Sequence, residues 1–307
     1  MIKKIGMIII ALMMSACTPG TNKSTTSSDK LNVVVTTSFL QDMVDVLVGD
    51  QVDTQLIIPA GEDPHTYEAK PEDSAKLQNA DLVLYHGLHF EGKMSEMLEA
   101  VGGVAVAKDF DESQVGRMEE DGKMIVDPHF WFDIDLYKQA STVAAQALKD
   151  KLPALKDEIE GNLQNYLAQL DELDEYNRSQ LEMIPEDRRI LITPHDAFNY
   201  FSRRYQITVK APQGVSTDAE LSNSDMAKTA EYIVEHQVKA IFAESTTDPA
   251  RMEKLKESCK AKGFDVKVVS GQGQELFSDS LAPKGQPGDT YIEMYRMNID
   301  LIVSNLK

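Results

Sequence analysis

Residues 152–183 read LPALKDEIEGNLQNYLAQLDELDEYNRSQLEM. Leu155, Ile159, Leu163, Tyr166, Leu170, Leu173 and Tyr176 recur at spacings of three and four, with mostly charged or amide positions between them. That is the pattern of a long amphipathic helix with one apolar stripe. Pro153 suits its first turn, where no intrahelical N–H is required. About 30 residues at 1.5 Å each extend roughly 45 Å, enough to cross a molecule of this size as a strut. A helical stretch from about Leu136 to Lys149 leads into it.

On both sides of this helix the chain alternates short β-branched runs with helix-period segments. Upstream come LNVVVTT, FLQDMVDVLVG, VDTQLII, PEDSAKLQNA, DLVLYHG and VAVAKDF, beginning at Leu31. Downstream come RILIT, HDAFNYFSRRY, ITVKA, SNSDMAKTAEYIVEHQ, VKAIFAE, PARMEKLKESCKAKG, DVKVVS and a last helix from about Gly288. The strand-like runs are nearly continuously apolar, as in sheets covered by helices on both faces. The expected fold class is therefore α/β: two similar lobes with mainly parallel sheets, residues 31–150 and 185–307, joined by one long connecting helix at 151–184. Such a build puts a ligand site in the cleft between lobes.

Residues 1–30 read differently. Lys3 and Lys4 precede a ten-residue run from Ile5 to Met14, followed by Ser15, Ala16 and Cys17. A bilayer span needs about 20 apolar residues, so this is a secretory signal peptide over residues 1–16. A cysteine directly after Met14-Ser15-Ala16 resembles a bacterial lipobox, which implies cleavage before Cys17 and acylation of that residue. Residues 17–30 are small and polar and read as a flexible tether. The expected location is extracytoplasmic, with the lipid on Cys17 as the membrane anchor.

The net charge of −19 becomes about −21 once Lys3 and Lys4 leave with the signal. This balance repels nucleic acid and suits cation attraction. With Cys17 acylated only Cys259 remains, so no intramolecular disulfide is available, and its setting in KLKESCKAKG reads as structural.

Three of the six histidines share one local context: Asp63-Pro64-His65, Asp127-Pro128-His129 and Thr193-Pro194-His195. Each follows a strand-like run, and the proline fixes its own φ while pushing the preceding residue into extended geometry. The result is a histidine on a constrained backbone at a strand end, where open α/β sheets bind ligands. Imidazoles from separate elements suit zinc and other first-row metals and usually recruit a carboxylate as well.

GEDPHTYE, DPHFWFD, TPHDAFNYFSRRY with the following QGVST, and PGDTYIEM together resemble the site motifs of the cluster A-I, or zinc/manganese, metal-binding lipoproteins of ABC importers, in their TroA-like branch. The resemblance covers nearly all of the mature chain. It implies two lobes joined by a long helix, a single Zn2+ or Mn2+ ion per chain at the lobe interface, no catalytic cofactor, an ABC importer permease as partner, and a monomer. Carried over residue by residue, it implies His65 and His129 from the first lobe and His195 and Asp289 from the second as ligands. Asp289 also stands at the start of the last helix, where a carboxylate meets the helix dipole.

His86 and His89 in YHGLHFEG form a pair three apart, but their segment matches a loop outside the primary site. His236 reads as solvated. Glu244, after VKAIF, and Trp131, beside His129, are expected near the cleft. The chain has no HExxH, paired CxxC or GxSxG motif. A secreted metallohydrolase using the same groups would need a general base that no motif supplies. Capture of a chelate such as haem would call for an apolar or aromatic cleft rather than four convergent metal ligands, and no feature indicates a partner for a surface adhesin.

Overall fold

The computed structural model describes residues 30–120 and 122–307. The signal peptide, Cys17 and nearly all of the expected tether lie outside the described residues.

In the first half, β1 (Leu31–Val35), β2 (Val52–Leu56), β3 (Leu82–Tyr85) and β4 (Val104–Ala105) form a parallel sheet in the order β2-β1-β3-β4. Helices α1 (Ser38–Val48), α2 (Pro71–Gln78) and α3 (Ser95–Ala100) make the crossovers. Val33, Val34 and Val35 are all fully buried, and they alternate between two cores: Val33 and Val35 face α1, whereas Val34 faces α2 and α3. That two-sided burial is why the run is continuously apolar rather than alternating. A hairpin follows, β5 (Arg117–Glu120) paired antiparallel with β6 (Lys123–Val126). It is an antiparallel addition to the mainly parallel sheets expected.

Helix α4 (Ile134–Lys151) leads to a 3-10 turn at Pro153–Leu155 and then to α5 (Lys156–Leu181). The strut thus has 26 α-helical residues, or about 39 Å, because Pro153 opens a separate tight turn instead of the helix itself.

The second half carries β7 (Ile190–Ile192), α6 (Asn199–Tyr205), β8 (Thr208–Lys210), α7 (Asn223–Glu235), β9 (Ala240–Phe242), α8 (Ala250–Ala261), β10 (Lys267–Val269) and α9 (Tyr291–Leu306). β7 pairs in parallel with β8 and β9 with β10, and β7 lies beside β9. Here too strand faces alternate between cores, with Phe242 on one side and Ile241 on the other.

Ile159, Leu163, Tyr166, Leu170 and Leu173 of α5 are buried in one core with Phe39 and Val44 of α1, Tyr137 and Ala140 of α4, and Tyr295, Ile299 and Ile302 of α9. The apolar stripe read from the sequence is the seam that joins the lobes. Cys259 is buried in the satellite core under α7 and α8, in keeping with a structural thiol.

Candidate metal centre

The three X-Pro-His segments converge. His65 stands in the loop after β2, His129 just beyond β6, and His195 just beyond β7. Their Nε2 atoms surround one carboxylate, and it belongs to Asp279: Oδ1 lies 3.3 Å from His129 Nε2, and Oδ2 lies 3.2 Å from His195 Nε2 and 3.9 Å from His65 Nε2. His65 Nε2 and His129 Nε2 are 3.3 Å apart. The four residues are at most 4% exposed, and their donor atoms all lie within 4.8 Å of one another. Four donors at tetrahedral corners with bonds of about 2.0–2.1 Å are spaced about 3.3–3.4 Å apart, so three of these spacings match a zinc-sized shell and the 3.9 Å one from His65 to Asp279 is wider.

Asp289, expected as the fourth ligand, does not join this group. Its Oδ2 accepts the Gly285 N–H at 2.6 Å on the flank of the molecule. The start of α9 is capped instead by the Thr290 hydroxyl and by Asp42 Oδ2, which accepts the Tyr291 N–H at 2.9 Å. Asp279 sits beyond β10, in a loop pinned by the bridge between Glu244 and Leu276 and by Asn298 Oδ1, which accepts the Phe277 N–H at 2.9 Å. Placement beyond a parallel strand of the second lobe, as for His195, is the signal that would have found it. Asp289 stands ten residues further along the chain, outside this cluster.

Each first-lobe histidine is oriented by the aspartate two residues before it. Asp63 Oδ1 accepts the His65 N–H at 2.9 Å; Asp127 Oδ1 accepts the His129 N–H at 3.0 Å and lies 2.8 Å from His129 Nδ1. Glu244 Oε2 lies 2.5 Å from His195 Nδ1 and accepts from the Ser278 hydroxyl at 3.2 Å. With Nδ1–H donated to a carboxylate, His129 and His195 present Nε2 to the centre, the usual device for fixing a ligand tautomer. Glu244 is thus where it was expected, at the cleft.

The walls are aromatic. Phe90 meets the His65 ring edge-on at 5.1 Å, and Trp131 lies 5.2 Å from His129 with its indole N–H donated to Ser278 O at 2.9 Å. Gly92 makes this closeness feasible: a Cβ there would fall 2.4 Å from the His65 carbonyl oxygen. His86 is buried behind the wall with Nε2 2.7 Å from the Thr37 hydroxyl, and His89 is exposed, so the pair forms no second site. His236 is exposed and stacked on Tyr232.

Charge within the centre is balanced. Burial pushes the His65 imidazole down to about 3, so it is neutral. Burial also opposes charge on His195, yet Glu244 and Asp279 outweigh it and hold that ring well above the ordinary imidazole range. His129 is raised in the same way by Asp127 and Asp279 against its burial. Asp279 stays well below the usual carboxylate range, because the two rings overcome the cost of burying it. His195 Nε2 and both Asp279 oxygens lack a well-directed hydrogen bond although buried, and a cation taking the place of the His195 proton would satisfy all three.

The family model described as zinc-uptake complex component A, periplasmic, matches residues 33–305. The zinc-binding protein TroA of Treponema pallidum (strain Nichols) is 38% identical over 289 residues, covering 93% of this chain and 92% of that protein. The manganese-binding lipoprotein MntA of Bacillus subtilis (strain 168) is 36% identical over 293 residues, 94% of each. A solved TroA structure, 58% identical, superposes with a TM-score of 0.89 over 91% of this chain and 100% of that one. The Treponema pallidum TroA structure gives 0.85 at 38% identity, over 90% and 99%. On matches that span nearly the whole described chain, and on the shared fold, the chain belongs to the zinc-uptake component A family, in its TroA-like group of metal-binding components of ABC importers.

Proposed function

We propose that this chain captures one divalent first-row metal ion, zinc or manganese, between His65, His129, His195 and Asp279, and hands it to the permease of an ABC importer. The observation that carries the reading is the spacing of these buried donors, at 3.2–3.3 Å across three of their edges. Three imidazoles and one carboxylate favour zinc by intrinsic affinity, since zinc stands above manganese in the divalent order. The relatives' names add that zinc and manganese are both cargo within the family: TroA is a zinc-binding protein and MntA a manganese-binding one.

Four protein donors close a zinc shell, whereas catalytic zinc keeps a position open for water. That supports a carrier over a hydrolase. The chain works as a monomer held to the membrane by a lipid on Cys17. Among the described residues no helix is long and apolar enough to cross a bilayer.

The test is metal analysis of protein purified without added metal, followed by competitive titration with Zn2+ and Mn2+. One equivalent bound with a preference for zinc is expected, and failure of both ions to bind would overturn the reading. For the anchor, Cys17→Ser in the full chain should move the protein from membrane to soluble fractions.

A further inference from the structure

The aspartates that orient the first-lobe histidines are themselves held by the second lobe. Asp63 gives Oδ1 to the His65 N–H, and its Oδ2 accepts the Thr217 hydroxyl at 2.5 Å. Asp127 gives Oδ1 to His129, and its Oδ2 accepts from Asn199 Nδ2 at 3.2 Å. Asn199 opens α6, four residues after His195, and Thr217 lies in the buried loop that follows β8. The amide of Asn199 is also 3.0 Å from Asp196 O and 2.8 Å from Met118 Sδ. All three neighbours are acceptors, so the NH2 group and not the carbonyl must face them. The next residue repeats the reach: Tyr200 Oη accepts the Gly116 N–H at 2.7 Å and donates to Asp127 O at 2.9 Å.

We propose that Asn199 and Thr217 are positioning residues for the cargo metal, each holding a first-lobe aspartate so that its histidine faces the ion. The inference rests on the metal-capture reading above. It makes the first-lobe ligands answerable to the second lobe: any movement of α6 or the Thr217 loop withdraws a hydrogen bond from Asp127 or Asp63, and the histidine loses its orientation. Retention of the ion is then a property of lobe contact and not of the four donors alone. Groups that hydrogen-bond a ligand directly, as the two aspartates do, are worth roughly 10–100-fold in affinity, and Asn199 and Thr217, one bond further out, fall at the low end of that range.

The experiment measures zinc affinity and the rate of zinc release into excess chelator for the wild type, Asn199→Ala, Asn199→Asp, Thr217→Val, Asp127→Ala and Asp127→Ala/Asn199→Ala. Asn199→Ala and Thr217→Val should each release zinc about tenfold faster. Asn199→Asp, equal in shape but set against Asp127, should be worse than Asn199→Ala. In the Asp127→Ala background the Asn199→Ala effect should vanish, because the two act as one unit. The metal-free melting temperatures of Asn199→Ala and Thr217→Val should stay close to the wild type. Wild-type release by Asn199→Ala and Thr217→Val overturns the proposal, as does an Asn199→Ala loss that persists in full without Asp127. A lowered metal-free melting temperature with unchanged release overturns it too. Absence of zinc binding by the wild type itself would instead sink the metal-capture reading.

Discussion

Asp279 Oδ2 and His195 Nε2 face each other at 3.2 Å, both fully buried, in the same lobe. The second lobe therefore presents a charged half-site, while the first lobe supplies His65, already neutral, and His129.

Removing any of the four donors should be severe. His65→Ala, His129→Ala, His195→Ala and Asp279→Ala are each expected to weaken zinc by more than the roughly 10–100-fold that supporting residues contribute. Asp289→Ala should bind like the wild type, since its carboxylate serves only a loop N–H. Competitive titration checks this, and the assignment fails if Asp279→Ala keeps its affinity while Asp289→Ala loses it.

Uptake should expel protons. In the metal-free protein the strongly raised pKa of His195 keeps a proton on that ring at neutral pH, the raised pKa of His129 favours one there too, and an ion at Nε2 must displace them. His65, at about 3, has none to give there. Apparent zinc affinity should therefore climb with pH until both rings have passed their raised pKa values, then level off. For folding the sign is opposite: the pairs formed by charged His195 stabilise the metal-free state fully below about pH 6.5 and are lost as pH rises through the raised value. Calorimetric titration at pH 7 in buffers of different ionisation heat reads the proton count, and a count of zero would contradict the site.

Metal should stabilise the fold without opening it widely. An ion that binds only the native state contributes RT ln(1 + [L]/Kd), about 4 kcal/mol at a thousandfold excess over Kd. At roughly 2–4 °C per kcal/mol for a chain of this order, the melting temperature should rise by on the order of 10 °C. Because α5 packs against α1, α4 and α9 in one core, scattering profiles with and without metal should differ only slightly. A rotation of tens of degrees between the lobes would refute that half of the prediction.

His195→Glu should narrow the preference for zinc over manganese. A carboxylate is the harder donor and adds coordination beyond the four that zinc favours. It also places a third acid beside Glu244 and Asp279, within reach of both, so some loss for either metal is expected. The diagnostic quantity is the ratio of the two dissociation constants, and a ratio unmoved or shifted toward zinc would show that this residue does not tune the choice.

The parallel strands were legible where both faces are buried, as in Val33-Val34-Val35, Leu82–Tyr85 and Ala240–Phe242, which read as short apolar runs. The β5–β6 hairpin escaped notice because Arg117, Glu119 and Lys123 are exposed and carry no core-facing alternation. The three histidines were legible through their prolines, which constrain the backbone whatever the rest of the fold does. Asp279 has no such marker. It lies in FSDSLAPKG between two serines, and only the return of the chain past Glu244 brings it to the centre. Asn199 and Thr217 were quoted within motifs, but a bond from one lobe to a carboxylate in the other spans 72 and 154 residues of chain, beyond any local pattern.

The seam along α5 bears on how the molecule comes apart. Ile159, Tyr166 and Leu173 bury themselves with side chains of both lobes, so neither lobe can melt without exposing the other's apolar surface. Heating the metal-free protein should accordingly give one calorimetric peak, with a van't Hoff enthalpy close to the calorimetric one, despite the bilobal architecture. An importer would then never meet a half-folded carrier, only one that is wholly native or wholly lost.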